Sequence, residues 1–375
     1  MVIMAIDHVR DFVHNDTMNF RPDDLSQTTA AIFFTRWITH ICAPTFMLCA
    51  GLGAFLKLER DGSRSRLSWF LFTRGAWLVL LEVTAVRFTF FFDVQYDLMF
   101  LLVFWVLGIG MMLLAALIHL PQRVLMTGSV TVIVLHHVLD QVSAASFGAA
   151  AWLWNLLHQP GLVRQADPTV VVGYPFIPWI AVIVLGFAVG PAFRLPADRR
   201  RRLFITAGIV MMLAFVALRW LNIYGDPRPW SAQATPMFTV LSFLNTSKYP
   251  PSFLYLLMTL GPALLLLGLF ERARPSDRHP LNVFGRTPLF YLVAHLAVAH
   301  AIAIAMTWMT YGSAPFLFMS PPTIGSPRDA FPADYGWDLW VVYAVTLAVV
   351  AVLYPICLTL SRMKAARRHW FLSYL

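Results

Sequence analysis

The sequence predicts an all-α membrane protein, a polytopic helix bundle with about ten transmembrane helices in a single domain, residues 1–375. Hydrophobic residues make up 59% of the chain and charged residues only 13%, about half the charged share of a soluble domain. Long apolar runs recur along the whole length, and most could cross a hydrocarbon layer of about 30 Å. Because lipid cannot satisfy backbone polar groups, these runs must form helices.

Polar breaks separate ten apolar runs, which we predict to be the helices. The first run would cover only about 20 Å as a helix, so we expect the natural helix to begin upstream of Met1. The runs are residues 1–14, 33–56, 67–89, 98–118, 124–140, 173–193, 203–221, 248–270, 282–306 and 338–360.

The basic residues predict the orientation. Alternate loops, with the tail at 361–375, carry 17 Lys and Arg residues, whereas the opposite loops carry four. Because Lys and Arg accumulate in cytoplasmic loops, the Arg-rich loops and the C-terminus are predicted to be cytoplasmic, in a plasma or inner membrane. The net charge of +9 therefore does not indicate nucleic-acid binding. The outer segments are longer, and one of them predicts a short interfacial helix at 147–163 with Trp152 and Trp154 at the headgroups.

Ionisable side chains inside the runs mark the candidate site, because each costs about 3 kcal/mol near mid-membrane. Almost all of them fall in the outer half of their span, so we predict one polar pocket that opens outward. Glu82 is the candidate for a deeper position, with Arg87 as a candidate partner. The residues are Asp7, His8, Arg10, Asp11, Arg36, His40, Glu82, Arg87, His136, His137, Asp140, Arg219, Lys248, His295 and His300.

The spacing of these residues indicates which of them are the stronger candidates for a functional role. Asp140 follows His136 by four residues, which on an α-helix places both on one face and favours His136 over His137. A single histidine in a span is more often a packing residue than a catalyst. The pair Asp7–His8, with Arg36 and His40 one turn apart in the next run, is harder to explain by packing.

The residue types allow two kinds of chemistry. A neutral imidazole titrates near pH 7, and a carboxylate can fix its tautomer. Arg36 and Lys248 could neutralise an anion or a developing oxyanion. These side chains suit acyl transfer to a hydroxyl or amine, and they suit proton-coupled transport equally. The sequence contains no P-loop, GxGxxG, GxSxG or HExxH motif, and we predict neither a metal site nor a permanently bound cofactor.

Six stretches, in the same order along essentially the whole chain, match a known family. They resemble bacterial membrane proteins with a domain of unknown function related to the catalytic domain of heparan-alpha-glucosaminide N-acetyltransferase. The stretches are MVIMAIDHVRDFVH (1–14), FFTRWITHICAPTFMLCAGLGAFL (33–56), FLFTRGAWLVLLEV (70–83), YPFIPWIAVIVLGFAVG (174–190), KYPPSFLYLLMTLGPALLLL (248–267) and FGRTPLFYLVAHLAVAH (284–300).

The resemblance implies a multipass enzyme that takes acetyl from cytoplasmic acetyl-CoA and delivers it to a sugar across the membrane. The family's essential histidine lies at or just after the end of its first span, which points to His8, with His14 as the second choice. An Asp…Arg-Gly segment that usually precedes the first helix is missing here. The other matching positions are Arg36 and His40 in TRWITH, Lys248 and Tyr249 in KYPP, and His295 in PLFYLVAH.

We therefore predict a membrane-bound acyltransferase with acetyl-CoA as co-substrate and with membrane lipid and a sugar or glycan acceptor as partners. Two alternatives stay open: a proton-coupled secondary transporter and a non-catalytic membrane protein of envelope assembly. The acceptor and the oligomeric state are left open. The predicted catalytic residues are His8, Asp7, His40 and Arg36, and the predicted substrate-binding residues are Lys248, Tyr249, His295 and His136.

Basic residues on the cytoplasmic side are the candidates for contact with the donor phosphates. Topology alone is the simpler explanation of them, because positive charge on this side is what the orientation rule requires. They are Arg199, Arg200, Arg201, Arg202, Arg272, Arg274 and Arg286.

Overall fold

The computed structural model describes residues 1–273, 275–322 and 326–366. These residues are mostly helical, which confirms the all-α prediction. The helices are α1 (Val2–Val13), α2 (Ala30–Trp37), α3 (Cys42–Asp61), α4 (Arg64–Leu81), α5 (Arg87–Phe91), α6 (Val103–Leu117), α7 (Gln122–Leu135), α8 (Ala151–Leu157), α9 (Trp179–Ala188), α10 (Ala197–Leu221), α11 (Pro236–Leu244), α12 (Phe253–Phe270), α13 (Pro280–Arg286), α14 (Pro288–Tyr311) and α15 (Leu339–Ala366).

Seven helical stretches among the described residues are long and apolar enough to cross a membrane, so the chain is a multipass membrane protein. Three further predicted runs contain shorter helices: α1 with 12 residues, Val103–Leu117 and Trp179–Arg194. Each of the ten predicted runs thus contains a helix. The seven long stretches are Ala30–Asp61, Arg64–Phe91, Gln122–Gln141, Ala197–Leu221, Phe253–Phe270, Pro288–Tyr311 and Leu339–Ala366.

The chain forms two compact units, and the first contains α1. It comprises Met1–Thr39, Thr84–Leu98 and the described residues of Arg274–Leu375. Helix α1 packs against α14 and α15, because Val9, Phe12 and Val13 lie on one face at the helical spacing and are fully buried. On α14, Ala299 and Ala303 belong to the same buried cluster, and their small side chains allow a close approach.

The segment before α15 contacts the C-terminal end of α1. The Tyr335 hydroxyl donates to the carbonyl oxygen of Phe12 at 2.7 Å, and the Trp337 N–H donates to that of Val13 at 2.9 Å. The last carbonyls of a helix have no partner within it, so these two bonds satisfy groups that would otherwise be buried without one. Gly336 between them has a φ of 106°, a backbone conformation that favours glycine.

The second unit comprises His40–Val83 and Met99–Ala273. Its helices pack in pairs, α3 with α9, α4 with α6 and α10 with α12. Glycines mark the closest approaches: a Cβ atom on Gly51 would overlap the carbonyl oxygen of Ile183, and one on Gly186 would overlap that of Leu48. Membrane helices use small residues in this way, because van der Waals contact rather than exclusion of water holds them together.

Extended segments explain why two predicted spans are shorter than expected. Strand β1 (Leu98–Leu101) precedes α6, and strands β2 (Gly161–Arg164) and β3 (Thr169–Val172) precede α9. They form one sheet in the order β1-β3-β2, with β2 and β3 antiparallel. The runs at 98–118 and 173–193 therefore begin with apolar residues that belong to the sheet or to the turn after it.

The predicted interfacial helix at 147–163 exists but is shorter. A 3₁₀ segment, Ala144–Ala150, leads into α8 at Ala151–Leu157, and Trp152 is 43% exposed. Pro160 and Gly161 end the helical region, because proline lacks the N–H that a helix needs and glycine adopts extended conformations easily. The residues after them form β2.

Replacing Gly51 with leucine is expected to force α3 away from α9, because its side chain would occupy the space of the Ile183 carbonyl. We expect a loss of about 1–3 kcal/mol, measured as a lower midpoint of thermal unfolding in detergent. Gly53→Leu is the matched control, since no atom lies within 4 Å of a Cβ placed on Gly53. Equal destabilisation by the two variants would contradict this account of the packing.

Candidate active site

Asp7, in the middle of α1, is the centre of a charged cluster in the first unit. The Arg36 guanidinium of α2 donates to one of its carboxylate oxygens, and Arg10 Nη2 lies 3.0 Å from the other. Arg10 also donates to Asp11 at 2.7 Å. Side chains of Asp7 and Arg10 are at most 10% exposed. A buried carboxylate is tolerated only where opposite charge and hydrogen bonds compensate for lost hydration. Here two guanidinium groups supply the charge, and that of Arg36 also supplies a hydrogen bond.

His8 is the accessible member of this cluster. Its side chain is 26% exposed, compared with 10% for Asp7 and 19% for Arg36. The carboxylate of Asp11, one turn further on, faces it, with Oδ2 3.9 Å from His8 Nδ1. Adjacent residues of a helix point about 100° apart, so Asp7 turns towards the arginines while His8 turns elsewhere.

His295 of α14 lies behind His8 and is fully buried. The two ring centroids are 5.3 Å apart. His295 Nδ1 lies 2.8 Å from the carbonyl oxygen of Tyr291, and because a carbonyl only accepts, Nδ1 carries the proton. Nε2 of a neutral ring is then an acceptor, and it has no hydrogen-bond partner among the residues that the structure describes. The predicted site residues Asp7, His8, Arg36 and His295 therefore all lie in the first unit.

Two other histidines of this unit, His14 and His300, are buried and contact backbone groups or aromatic rings. His14 is 4% exposed, ends α1, and accepts a hydrogen bond from the Asp16 N–H at its Nδ1. His300 lies between the rings of Phe12 and Phe92, with centroid distances of 4.4 and 4.3 Å. Its Nε2 lies 2.8 Å from the carbonyl oxygen of Leu317. Of the two candidates for the essential histidine, His8 is thus the more exposed.

His40 belongs to the second unit, in a 3₁₀ turn at Ile38–Ile41. Its carbonyl oxygen would normally bind the N–H four residues later, but that residue is Pro44, which has none. The Tyr255 hydroxyl of α12 donates to this carbonyl instead, at 2.8 Å. The rings of His40 and Tyr255 are 5.4 Å apart. A helix break thus places His40 beside an aromatic hydroxyl.

The KYPP segment also belongs to the second unit. Lys248 Nζ lies 5.2 Å from the centre of the Tyr249 ring, and the Tyr249 hydroxyl lies 3.3 Å from that of Tyr174. His136 Nε2 lies 3.0 Å from the carbonyl oxygen of Pro251. His136 is buried, so its contact is with the backbone of the segment. Lys248, Tyr249 and His136 are therefore close in the fold.

The expectation that Asp140 lies on the same helical face as His136 is wrong. Residues His136–Gln141 form a 3₁₀ helix, whose period of three residues brings Asp140 against His137 instead. The other carboxylate oxygen of Asp140 accepts from His158 Nε2 at 2.6 Å. Sequence analysis missed His158, and only its position within the predicted interfacial helix at 147–163 could have drawn attention to it.

Glu82 and Arg87 have different partners from the expected ones. Glu82 accepts hydrogen bonds from the backbone N–H groups of Phe104 at 2.7 Å and Trp105 at 3.0 Å. These are the free donors at the start of α6, so a buried carboxylate from another helix caps it. Arg87 instead donates to Asp93 at 2.8 Å. Glu82 thus accepts hydrogen bonds from the unpaired N–H groups at the start of a helix, and Arg87 binds the loop after α5.

Three of the six described arginines that were predicted to face the cytoplasm form ion pairs. Arg200 binds Glu271, Arg272 binds Asp198 at 2.7 Å, and Arg286 binds Asp277 at 2.7 Å. Arg274 and residues 367–375 of the tail lie outside the described residues. Within the described ranges no group of three His, Cys, Asp or Glu side chains could hold a metal ion.

The pKa of Asp93, which lies just after α5, is lowered by its hydrogen bonds. Burial acts to raise the pKa of this carboxyl, but hydrogen bonds from the Gln95 N–H, the Arg87 guanidinium and the Ser320 hydroxyl outweigh it and hold the pKa below its ordinary value. A carboxyl whose pKa is lower in the folded than in the unfolded chain stabilises the fold above the unfolded pKa. That contribution disappears as the pH falls through the folded value.

Asp93→Asn is therefore expected to lower the free energy of unfolding at pH 7 by about 1–3 kcal/mol, the usual contribution of hydrogen bonds to a charged group. The difference between the variant and the wild-type protein should shrink as the pH falls below about 4, where the carboxyl of the unfolded wild-type chain takes up a proton, and should vanish below the lower pKa of the folded protein. Thermal unfolding in detergent at pH 7 and pH 3 measures this. An equal difference at both pH values would contradict it.

Comparison with known protein families gives one match. The sequence model of the family described as "Heparan-alpha-glucosaminide N-acetyltransferase, catalytic" matches residues 1–225, more than half of the chain. The match includes Asp7, His8, Arg36, His40 and His136. No curated protein and no solved structure gives a significant match. The chain belongs to the heparan-alpha-glucosaminide N-acetyltransferase catalytic family.

Proposed function

We propose that this protein moves an acetyl group from acetyl-CoA on the cytoplasmic side to a sugar or glycan on the other side of the membrane. Membership of an acetyltransferase family supports the reaction type. The observation that carries the proposal is the partly exposed imidazole of His8 beside the ion pair of Asp7 and Arg36. A catalytic base or nucleophile must be accessible, and the groups around it must be fixed.

The chemistry we propose begins at His8. Acting as an acyl carrier, one of its ring nitrogens attacks the thioester carbonyl, the C–S bond breaks, and CoA leaves as a thiolate that takes up a proton. An acceptor hydroxyl or amine then attacks the acetyl-imidazole, loses its proton and regenerates His8. Acting as a base, His8 would instead take the acceptor's proton during direct attack on the thioester.

The neighbouring charges fit either version of the reaction. The oxygen of a tetrahedral intermediate develops negative charge, and a fixed guanidinium stabilises such a charge. Arg36 is fixed by its bond to Asp7 and is partly exposed. We propose that Asp7 acts through Arg36, while Asp11 is the carboxylate that faces His8. The proposed substrate-binding roles of Lys248, Tyr249, His295 and His136, and the catalytic role of His40, complete this hypothesis.

We also propose that the Arg-rich loops and the C-terminus face the cytoplasm, in the plasma membrane or the inner membrane. The excess of Lys and Arg in alternate loops supports this orientation. With acetyl-CoA as a consumed co-substrate, the enzyme needs no permanently bound cofactor.

Purified protein reconstituted in lipid vesicles tests the function and the orientation together. We expect CoA release and transfer of labelled acetyl to glucosamine when acetyl-CoA is supplied on the side of the Arg-rich loops. Replacing His8 with alanine should lower the rate by about 100-fold or more, the usual contribution of an acid–base group.

His119→Ala is the matched control, because His119 is exposed on a predicted cytoplasmic loop and contacts Ser68. This variant should retain the wild-type rate. Solute or proton flux without CoA release would favour the transporter alternative, and an unchanged rate in His8→Ala would exclude His8 as the catalytic group.

A further inference from the structure

Asp226 is a buried carboxylate of the second unit to which sequence analysis assigned no role. It lies between α10 and α11, and its side chain is 1% exposed. A charge with so little access to water is costly unless it is paired and hydrogen-bonded. Its partners therefore show what the charge is used for.

The residues on either side of the KYPP segment, Ser247 and Ser252, both bind one oxygen of Asp226. The backbone N–H of Ser247 donates to Oδ2 at 2.8 Å, and the hydroxyl of Ser252 donates to the same oxygen at 2.5 Å. Lys248 and Tyr249 lie between these two anchors. The Ser252 hydroxyl also accepts from the Tyr255 N–H at 3.0 Å, so the segment leads directly into the capped start of α12.

The other oxygen of Asp226 points to a positive charge. It accepts from the Arg228 N–H at 2.9 Å and lies 3.8 Å from Nη1 of Arg219. Arg219 is 1% exposed and donates to four backbone carbonyls, among them those of Ser242 and Asn245 at 3.1 Å. The guanidinium thus balances Asp226 and fixes the chain on the N-terminal side of the KYPP segment.

A third contact holds the far end of the segment. Lys248 and Pro251 form an isolated antiparallel bridge, and His136 binds the carbonyl oxygen of Pro251. The backbone around Lys248 is therefore fixed by a carboxylate, an imidazole and its own bridge. A flexible lysine side chain binds a ligand at a lower entropic cost when the backbone that carries it is already ordered.

We propose that Asp226 is a positioning residue that holds Lys248 and Tyr249 in the geometry in which they bind the acceptor. The inference rests on the proposed function, since acceptor binding is the role proposed for those two residues. Asp226 itself does not contact the acceptor, because it is buried behind the segment. Its removal should therefore weaken acceptor binding more than it slows the chemical step.

Hydrogen exchange of the protein in lipid nanodiscs tests the positioning directly. In Asp226→Asn, the peptide that contains residues 247–252 is expected to exchange at least about 10-fold faster, because an amide nitrogen cannot accept the bonds that the carboxylate oxygens accept. Asp140→Asn is the matched control, a carboxylate of the same unit that binds His137 and His158 instead. Unchanged exchange of 247–252 in Asp226→Asn would overturn the proposal.

Kinetics with glucosamine as the probe acceptor supply the second measurement. We expect the KM for glucosamine to rise about 10-fold in Asp226→Asn, with kcat within about threefold of the wild-type value. A fall in kcat at unchanged KM would overturn the positioning role. Ser252→Ala removes only one of the two anchors and should give a smaller rise in KM, which keeps the test valid if Asp226→Asn does not fold.

The two proposals fail in different ways. If the wild-type protein releases no CoA from acetyl-CoA, the proposed function is wrong, while faster exchange at 247–252 would still show that Asp226 orders the segment. If the wild-type protein is active and the exchange does not change, the proposed function stands and the role of Asp226 does not.

Discussion

The buried ion pair between Asp7 and Arg36 is the interaction on which the candidate site depends. A carboxylate inside a membrane protein loses most of its hydration, and only compensation by nearby positive charge makes its ionised form acceptable. Arg36 and Arg10 supply that charge. Because Arg36 comes from α2, the pair connects α2 to α1, the helix that carries His8. The packing of α1 against α14 and α15 then fixes the other side of this helix.

Several of the ionisable side chains in the predicted spans form hydrogen bonds with backbone groups and do not line a pocket. Glu82 binds the free N–H groups at the start of α6, and Arg219 binds carbonyl oxygens at the C-terminal end of α11. His136 binds the carbonyl of Pro251. Helix ends and breaks are expensive in a membrane because no water can pair with them. An ionisable residue in a span therefore indicates either a functional site or a helix end or break whose unpaired backbone groups it hydrogen-bonds.

The fold was largely predictable from the sequence, because the length and polarity of apolar runs are set by the thickness of the bilayer. The exceptions have local causes. The helices at Val103 and Trp179 begin late, because strand β1 uses the first residues of one run and the turn after strand β3 uses those of the other. The helix predicted at 147–163 ends early because Pro160 and Gly161 follow it.

The candidate site was predictable only in part. Adjacent positions on α1 show that Asp7 and His8 point in different directions, but which of them meets Arg36 depends on packing that no single sequence reveals. His137 was missed as a partner of Asp140, because the α-helical period was assumed where the chain forms a 3₁₀ helix. His158 was missed because it lies outside the apolar runs. Asp226 was missed because it lies outside the apolar runs, where a carboxylate raises no question until its burial is known.

A double-mutant cycle on Asp7 and Arg36 tests the central claim most directly. The free energy of unfolding is measured in lipid for the wild-type protein, Asp7→Asn, Arg36→Gln and the double variant. We predict a coupling energy of at least about 1.5 kcal/mol, as found for close charge pairs with little access to water. Additivity of the two single substitutions within about 0.5 kcal/mol, the behaviour of independent sites, would contradict the account.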